Sequence, residues 1–197
     1  MADLAPPVGA SAALRLRWLL AVLAIIVVLT GGWPLVSTTV ANLRPLVAGT
    51  TVTIGPSAVS SGRITVGPGW SVLSSSTNPH QSYLFGRGAV RLSVRYVRLT
   101  RTGDRRGLWR ALRQMLRLGY PGLTPGRPRP IVVADGNRGL IGQLSGRGRS
   151  GKAAVVAAPA APFAIEMIMV GPSSSNALQL AVGLPVLRSL RFPAAAR

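Results

Sequence analysis

The feature that most constrains this chain is an apolar stretch near its start, Trp18–Thr30, in which thirteen consecutive residues carry no charge. The uncharged window continues to Leu43 and is followed by Arg44. A helix over Trp18–Val36 would be about 28 Å long, close to the hydrocarbon thickness of a bilayer. We therefore expect a transmembrane helix over residues 18–36, with a folded domain after it.

Two arginines, Arg15 and Arg17, stand directly before the apolar stretch, which is the layout of a signal peptide or a signal anchor. Cleavage after Thr39-Val40-Ala41 would release a secreted form, because this tripeptide ends in a small residue. The length of the apolar stretch and the aromatic Trp33 at its far end favour an uncleaved signal anchor. Both outcomes stay open here.

The charges that flank the span predict its orientation. Two arginines before the span, against Arg44 after it, favour a cytoplasmic N-terminus and a single-pass protein of the cell membrane. The predicted segments are a cytoplasmic tail at 1–17, the transmembrane signal anchor at 18–36, a stalk with the first strand at 37–62, an extracytoplasmic domain at 63–192 and a C-terminal tail at 193–197.

Composition excludes several classes of site. The chain has no cysteine, so a lipid-modified cysteine, a disulfide framework, a thiolate nucleophile and a Cys-based zinc site are excluded. The single histidine, His80, cannot build a multi-histidine metal site. It lies in a proline-containing loop, and the chain has no G-x-S-x-G elbow to indicate a triad. We expect no catalytic residues, no metal and no cofactor.

Two elements are clear from their periodicity. Val90–Tyr96 alternates between apolar residues and polar ones that include Arg91 and Arg95, which predicts a strand with one buried face. Asp104–Leu118 has an apolar stripe at helical spacing, with its first residue placed to cap the helix and Gly119 placed to end it. The sequence therefore predicts at least one half-exposed strand and one amphipathic helix.

The remaining elements are shorter or less regular. The other predicted strands are Thr50–Ile54, Arg63–Val66, Trp70–Leu73, Ser82–Phe85, Ile131–Ala134, Gly139–Ser145, Ala153–Ala158 and Phe163–Val170. A second helix is expected over Ser173–Leu190, kinked or shortened by Pro185, and a last short strand over Arg188–Phe192. Gly119–Pro130 predicts a loop. This order predicts an α+β domain with a mainly antiparallel sheet flanked by helices.

The layout resembles a known family. The pair Gly69-Trp70 that opens a strand, the strand before the first helix, the meander, and the closing segment LRSLRF at Leu187–Phe192 resemble the Mog1/PsbP-like α/β sandwich over residues 63–192. The layout is also similar to single-span actinobacterial envelope proteins that carry such domains, some associated with type VII secretion. The resemblance implies a binding or accessory role, a protein partner in an envelope or secretion complex, and no catalytic residues to carry over.

Two local patterns have a plain interpretation. Gly146–Ala153 satisfies G-x-G-x-x-G and approaches a P-loop, but Ala153 lacks the hydroxyl that binds Mg²⁺ and a strand follows where a helix is needed. A glycine-rich hairpin loop is the better interpretation. Glu166 lies between Ile165 and Met167, and we expect it to face outward and pair with an arginine, since a buried carboxylate without a partner is costly.

Arginine is distributed unevenly along the chain. The formal net charge is +19, and residues 86–152 hold fifteen arginines and one lysine against two acids. Such a field attracts anionic lipid, polyanionic wall polymer or nucleic acid. Six arginines that the helix and strand patterns place on polar faces form the predicted anionic-surface site: Arg91, Arg95, Arg106, Arg110, Arg113 and Arg117.

The sequence thus predicts a non-catalytic, membrane-anchored envelope protein with a strongly basic extracytoplasmic domain that binds anionic lipid or a polyanionic cell-wall polymer. No nucleic-acid partner is expected, because the domain is predicted outside the cytoplasm and no base-reading motif is recognisable. The alternatives are a secreted form, a cytoplasm-facing nucleic-acid binder with reversed topology, and an unrecognised hydrolase.

Overall fold

The alternating apolar and polar residues of this chain fold mainly into strands. The computed structural model describes residues 43–100, 105–174 and 181–193. Its strands are β1 (Leu43–Pro45), β2 (Thr50–Ile54), β3 (Gly62–Val66), β4 (Ser71–Leu73), β5 (Ser82–Arg87), β6 (Val90–Arg98), β7 (Thr124–Pro125), β8 (Arg129–Val132), β9 (Arg138–Gly146), β10 (Arg149–Ala157) and β11 (Phe163–Pro172). Within the same ranges the helices are α1 (Arg105–Gly119) and α2 (Gly183–Arg188), with a 3₁₀ turn at Ser74–Ser76.

Several of the sequence predictions fall outside the described residues. They are the cytoplasmic tail at 1–17, the transmembrane segment at 18–36, the cleavage site at Ala41, the capping of the first helix by Asp104, and the C-terminal tail after residue 193. Across the ranges that the structure does describe, no helix is both long enough and apolar enough to cross a membrane. The strands and helices named above all belong to one compact unit, Asn42–Arg197.

A nine-stranded antiparallel sheet forms the centre of the fold, in the order β1-β4-β5-β6-β11-β10-β9-β7, with β8 also paired to β9. Strands β2 and β3 form a separate antiparallel hairpin. Strand β11 lies in the middle of the sheet and is buried along nearly its whole length, because both of its faces are covered. Its register with β6 puts Val170 opposite Arg91 and Glu166 opposite Arg95.

Different elements cover the two faces of the sheet. The β2–β3 hairpin and α2 pack on one face, and helix α1 packs on the other over β7, β9 and β10. The first core includes Ile54, Ile64, Phe85, Phe163, Met167 and Leu187. The second core includes Trp109, Leu112, Leu116, Leu144 and Ile168. This arrangement confirms the predicted α+β sandwich with a mainly antiparallel sheet flanked by helices.

Helix α1 presents its apolar stripe to the sheet. Its buried residues are Trp109, Leu112 and Leu116, which recur at the spacing of three and four residues that puts them on one side of a helix. Gly119 is the last helical residue, and Pro121 follows it, where it cannot continue the helix. Positions opposite the stripe therefore face away from the sheet.

Among the described residues, the second predicted helix is present only in part. Ser173 and Ser174 lie in a turn, residues 175–180 lie outside the described part of the chain, and α2 spans only Gly183–Arg188. The prediction of one helix over Ser173–Leu190 is therefore wrong at both ends. Pro185 is accommodated in the first turn of α2, where a missing N–H removes no helical hydrogen bond.

The segment after α2 is hydrogen-bonded to β3. The backbone groups of Arg191 and Arg63 exchange two hydrogen bonds of 2.8 Å each. The Oγ of Ser189 accepts a hydrogen bond from the N–H of Thr65 at 2.9 Å and donates one to the carbonyl of Val186 at 2.7 Å. The last short strand that the sequence predicts is therefore present only as an isolated bridge between Arg63 and Arg191.

Two short strands form where the sequence predicts none. Strand β1 pairs with β4, and β7 pairs with β9 inside the predicted loop Gly119–Pro130. The loop prediction is wrong for Thr124–Pro125 and for the start of β8, because strands of two to four residues carry too little periodicity to be recognised. Strands β1 and β2 both lie in the segment expected as a stalk and first strand, and both pair within the folded unit.

Candidate basic binding site

The outer face of α1 carries a row of four arginines. We call this row the helix surface; it consists of Arg106, Arg110, Arg113 and Arg117. All four are exposed, because Trp109, Leu112 and Leu116 turn the other side of the helix to the sheet. A shallow depression of about 320 Å³ lies among Arg110, Arg113, Arg117 and the intervening Gln114. The helix surface is an extended cationic strip.

The other two predicted site residues, Arg91 and Arg95, lie on the sheet face that α1 also occupies. The Nη1 of Arg95 lies 3.5 Å from the Sδ of Met115 on α1. The Nη1 of Arg91 donates to the carbonyl oxygens of Gly88 at 2.7 Å and Val90 at 3.2 Å. Both arginines are exposed. Arg95 therefore lies beside α1, and Arg91 lies on the same face of β6, four residues before Arg95. The binding of either arginine to an anionic surface stays a prediction.

Glu166 lies on this same sheet face, and the prediction that it points outward is wrong. Only 7% of its surface is exposed, because its side of β11 packs under α1. Burial raises the pKa of the Glu166 carboxyl, and the positive charge of Arg95 on β6 opposes that rise. Arg95 is therefore the arginine near Glu166, and its positive charge partly offsets the desolvation of the buried carboxyl.

A second basic site lies at the end of this face, where the sequence indicates only a hairpin loop. The register aligns Arg91 on β6 with Val170 on β11, and β10 runs beside β11. The turn between β9 and β10 carries Arg147, and Arg149 is the first residue of β10. These three arginines and Tyr120, which follows α1, line a cleft of about 530 Å³. We call it the arginine cleft.

The loop that approaches a P-loop in sequence does not build one. A strand, β10, follows it. Lys152 lies towards α2 on the other sheet face, where burial and the charge of Arg188 lower its pKa.

His80, the single histidine, is exposed in the loop before β5. Within the described ranges, no three His, Cys, Asp or Glu side chains come together in a way that suits a metal ion.

Solved structures share this architecture at low sequence identity. Cyanobacterial PsbP (CyanoP) from Synechocystis sp. PCC 6803 matches with a TM-score of 0.51 and 11% identity, over 75% of this chain and 95% of that chain. The Saccharomyces cerevisiae Ran-binding protein Mog1p matches with a TM-score of 0.50 and 10% identity, over 74% of this chain and 96% of that chain. No protein-family model and no curated protein matches the sequence. The domain therefore has a Mog1/PsbP-like fold, as its layout predicted.

Proposed function

We propose that this chain is a non-catalytic envelope protein, anchored by one membrane helix, whose basic domain binds anionic surfaces outside the cytoplasm. The observation that carries the proposal is the helix surface, in which four arginines lie exposed along one side of α1. A basic side chain near an anionic bilayer contributes about 1 kcal/mol, and the attraction decays over a Debye length of about 10 Å. Anionic lipid headgroups and polyanionic wall polymers have the matching charge.

The anchor and its orientation rest on the sequence before the domain. The apolar segment at 18–36 has the length of a membrane span, and the arginines on its two sides favour a cytoplasmic N-terminus. An extracytoplasmic domain of this charge meets lipid headgroups and wall polymers, whereas cytoplasmic nucleic acid lies across the membrane. We therefore propose no nucleic-acid partner.

The chemistry of the basic site favours binding over catalysis. A guanidinium stays protonated at physiological pH, so arginine does not serve as a general acid or base. An arginine-rich face therefore supplies positive charge and hydrogen-bond donors. Mog1p is a Ran-binding protein, so a protein of this architecture acts through a partner, and we propose that a protein partner within an envelope complex also binds this domain.

Protease treatment of intact spheroplasts tests the location of the domain. The full-length chain with a C-terminal tag is expressed, and loss of the tag is followed with and without permeabilisation. We expect external protease to remove the domain from intact spheroplasts, while a cytoplasmic marker protein survives. Protection of the domain until the membrane is permeabilised would overturn the proposed topology.

Vesicle binding tests the anionic-surface role. The full-length protein in phosphatidylcholine nanodiscs is mixed with vesicles of phosphatidylcholine, with and without phosphatidylglycerol, and with a soluble poly(glycerol phosphate). We expect binding only to the anionic partners, weakening as salt shortens the Debye length. Equal binding to neutral and anionic vesicles, or no binding to either anionic partner, would overturn the proposal.

A further inference from the structure

We propose that the arginine cleft is a discrete binding site for a phosphoryl group, a phosphate or a pyrophosphate, carried by a ligand with an apolar part. This inference goes beyond the proposed function, because a saturable site for one anionic group differs from attraction to a charged surface. The cleft volume of about 530 Å³ falls in the range of small-molecule sites, roughly 300–1,000 Å³.

The lining of the cleft has the chemistry of a phosphoryl site. Among the residues that the structure describes, this lining contains three arginines and no acidic residue. Three like charges brought together repel one another, and a bound anion would relieve that repulsion. Guanidinium groups match pairs of phosphate oxygens, and the hydroxyl of Tyr120 adds another donor. Leu84 and Val170 provide an apolar wall for the rest of the ligand.

The backbone at Arg147 is unfavourable for arginine. Gly146 and Arg149 are paired, so β9 and β10 are joined by the two residues Arg147 and Gly148. Their φ values are 43° and 67°, which are the left-handed conformations of a type I′ turn. Asn, Asp or Gly is favoured at the first of these positions, and a long side chain there strains the backbone. An arginine at a turn position that favours Asn, Asp or Gly indicates that its side chain has a function.

Glycines allow the turn to meet the loop that follows α1. A Cβ on Gly122 would overlap the side chain of Arg147, and a Cβ on Gly146 would overlap the carbonyl oxygen of Gly122. The turn is also tied to the end of β11, since the N–H of Ser173 donates to the carbonyl of Gly148 at 2.8 Å. The Arg147 side chain is therefore packed along this loop, next to the Tyr120 that lines the cleft.

Arg91 also lines the cleft, and its guanidinium is anchored to the backbone. Its two hydrogen bonds to the carbonyls of Gly88 and Val90 hold Nη1 in place. The guanidinium lies over Gly86, where an added Cβ would be 3.1 Å from Nη1. Because a guanidinium has about five N–H donors, the anchored group keeps further donors for a ligand. The cleft thus combines one guanidinium held by carbonyls with an exposed arginine whose stem lies along the loop that follows α1.

Calorimetric titration of inorganic pyrophosphate into the full-length protein in a neutral detergent tests this site. We expect saturable binding by the parent. Arg147→Asn should weaken it by at least about tenfold, the loss of one charge-assisted contact. The same variant should melt no lower than the parent, because Asn-Gly is a preferred type I′ pair. If Arg147→Asn does not fold, the loss of pyrophosphate binding in Arg149→Gln tests the same site.

Arg138→Asn is the matched control, because it removes the same charge from the far end of β9, about 26 Å along the strand from Gly146 at about 3.3 Å per residue. It should bind pyrophosphate as the parent does. Replacement of the four helix-surface arginines should also leave this binding intact, so the cleft is tested separately from the proposed function. Absence of saturable binding by the parent, or equal losses in Arg147→Asn and Arg138→Asn, would overturn the inference.

A second arm identifies the source of the phosphoryl group. Short-chain, water-soluble phosphatidic acid replaces pyrophosphate in the same titration. Tighter binding of phosphatidic acid, lost in Arg147→Asn, would identify a lipid headgroup as the ligand class. Binding of pyrophosphate with none of phosphatidic acid would identify a soluble phosphorylated compound. Binding of neither would contradict a phosphoryl site.

Discussion

Glu166 lies opposite Arg95 across the β11–β6 pair, with 7% of the Glu166 surface exposed. Desolvation of the carboxyl raises its pKa above the ordinary value of 4.5, and the charge of Arg95 partly opposes this effect. Arg95 also contacts Met115 of α1 through Nη1. This arginine therefore connects a buried acid in the sheet with the helix that carries the basic surface.

The Glu166–Arg95 pair predicts a pH dependence of stability. Since the pKa of Glu166 is higher in the folded chain than in the unfolded chain, the folded chain binds more protons between those two values. The free energy of unfolding should therefore fall as pH rises above 4.5 and through the raised pKa. Glu166→Gln should remove this part of the decline and raise the melting temperature at neutral pH. Thermal melts of the full-length protein across this range measure both effects.

Arg95→Gln provides the opposite change in the same pair. It removes the charge that favours ionised Glu166, so it should lower stability at neutral pH by about 1 kcal/mol, or roughly 3 °C for a domain of this size. In the Glu166→Gln background the same substitution should cost less. A pH profile that is identical in the parent and in Glu166→Gln would show that the buried carboxyl does not control it.

The contact between Trp109 and Gly142 predicts a position that tolerates no side chain. A Cβ on Gly142 would lie 2.6 Å from Cη2 and 2.7 Å from Cζ2 of the Trp109 indole. Gly142→Ala should therefore destabilise the domain by roughly 1–3 kcal/mol, the usual cost of overpacking a core. Chemical denaturation of the full-length protein in detergent measures this loss.

Gly119→Ala is the matched control, because nothing lies within 4 Å of its added Cβ. That variant should be neutral or gain up to about 1 kcal/mol, since alanine is the better helix former. The double variant Gly142→Ala/Trp109→Phe should lose less than the two single losses combined, because the smaller ring relieves the overlap. Strict additivity would contradict the contact.

The hydroxyl of Ser189 should contribute modestly to the stability of the domain. It joins the end of α2 to Thr65 on β3 through a hydrogen bond of 2.9 Å. Ser189→Ala should cost about 0.5–1.5 kcal/mol, at the lower end because water can replace the bond at an exposed N–H. Ser75→Ala, at an exposed position of the 3₁₀ turn, should change the melting temperature little. Equal melting temperatures for both variants would show that the link carries no stability.

The elements that the sequence predicts well are those whose pattern is local. Val90–Tyr96 alternates with period two and Trp109–Leu116 repeats with helical period, so β6 and α1 follow from neighbouring residues alone. The burial of Glu166 does not follow in this way. Its apolar neighbours predict a strand, but only the packing of α1 against that face of β11 determines whether the carboxyl meets water.

The arginine cleft depends on contacts that are distant in sequence. Arg91 and Arg147 belong to different hairpins, and only the order β6-β11-β10 brings their strands to one part of the sheet. A local signal exists at Arg147, where an arginine occupies a two-residue turn between glycines. That signal becomes interpretable only when the pairing of Gly146 with Arg149 sets the turn length and the φ of Arg147 is known.

The most direct test of the account compares two fourfold Arg→Gln variants of the full-length protein for binding to phosphatidylglycerol vesicles. The first variant changes the helix surface, and the second changes four exposed arginines on other elements: Arg63, Arg129, Arg138 and Arg191. Both lose the same charge, and each surface substitution should shift stability by no more than about 0.5 kcal/mol. We predict that the first variant loses most of the salt-sensitive binding and the second keeps most of it. Parent-like binding by the first variant would contradict the proposal that the helix surface binds anionic lipid.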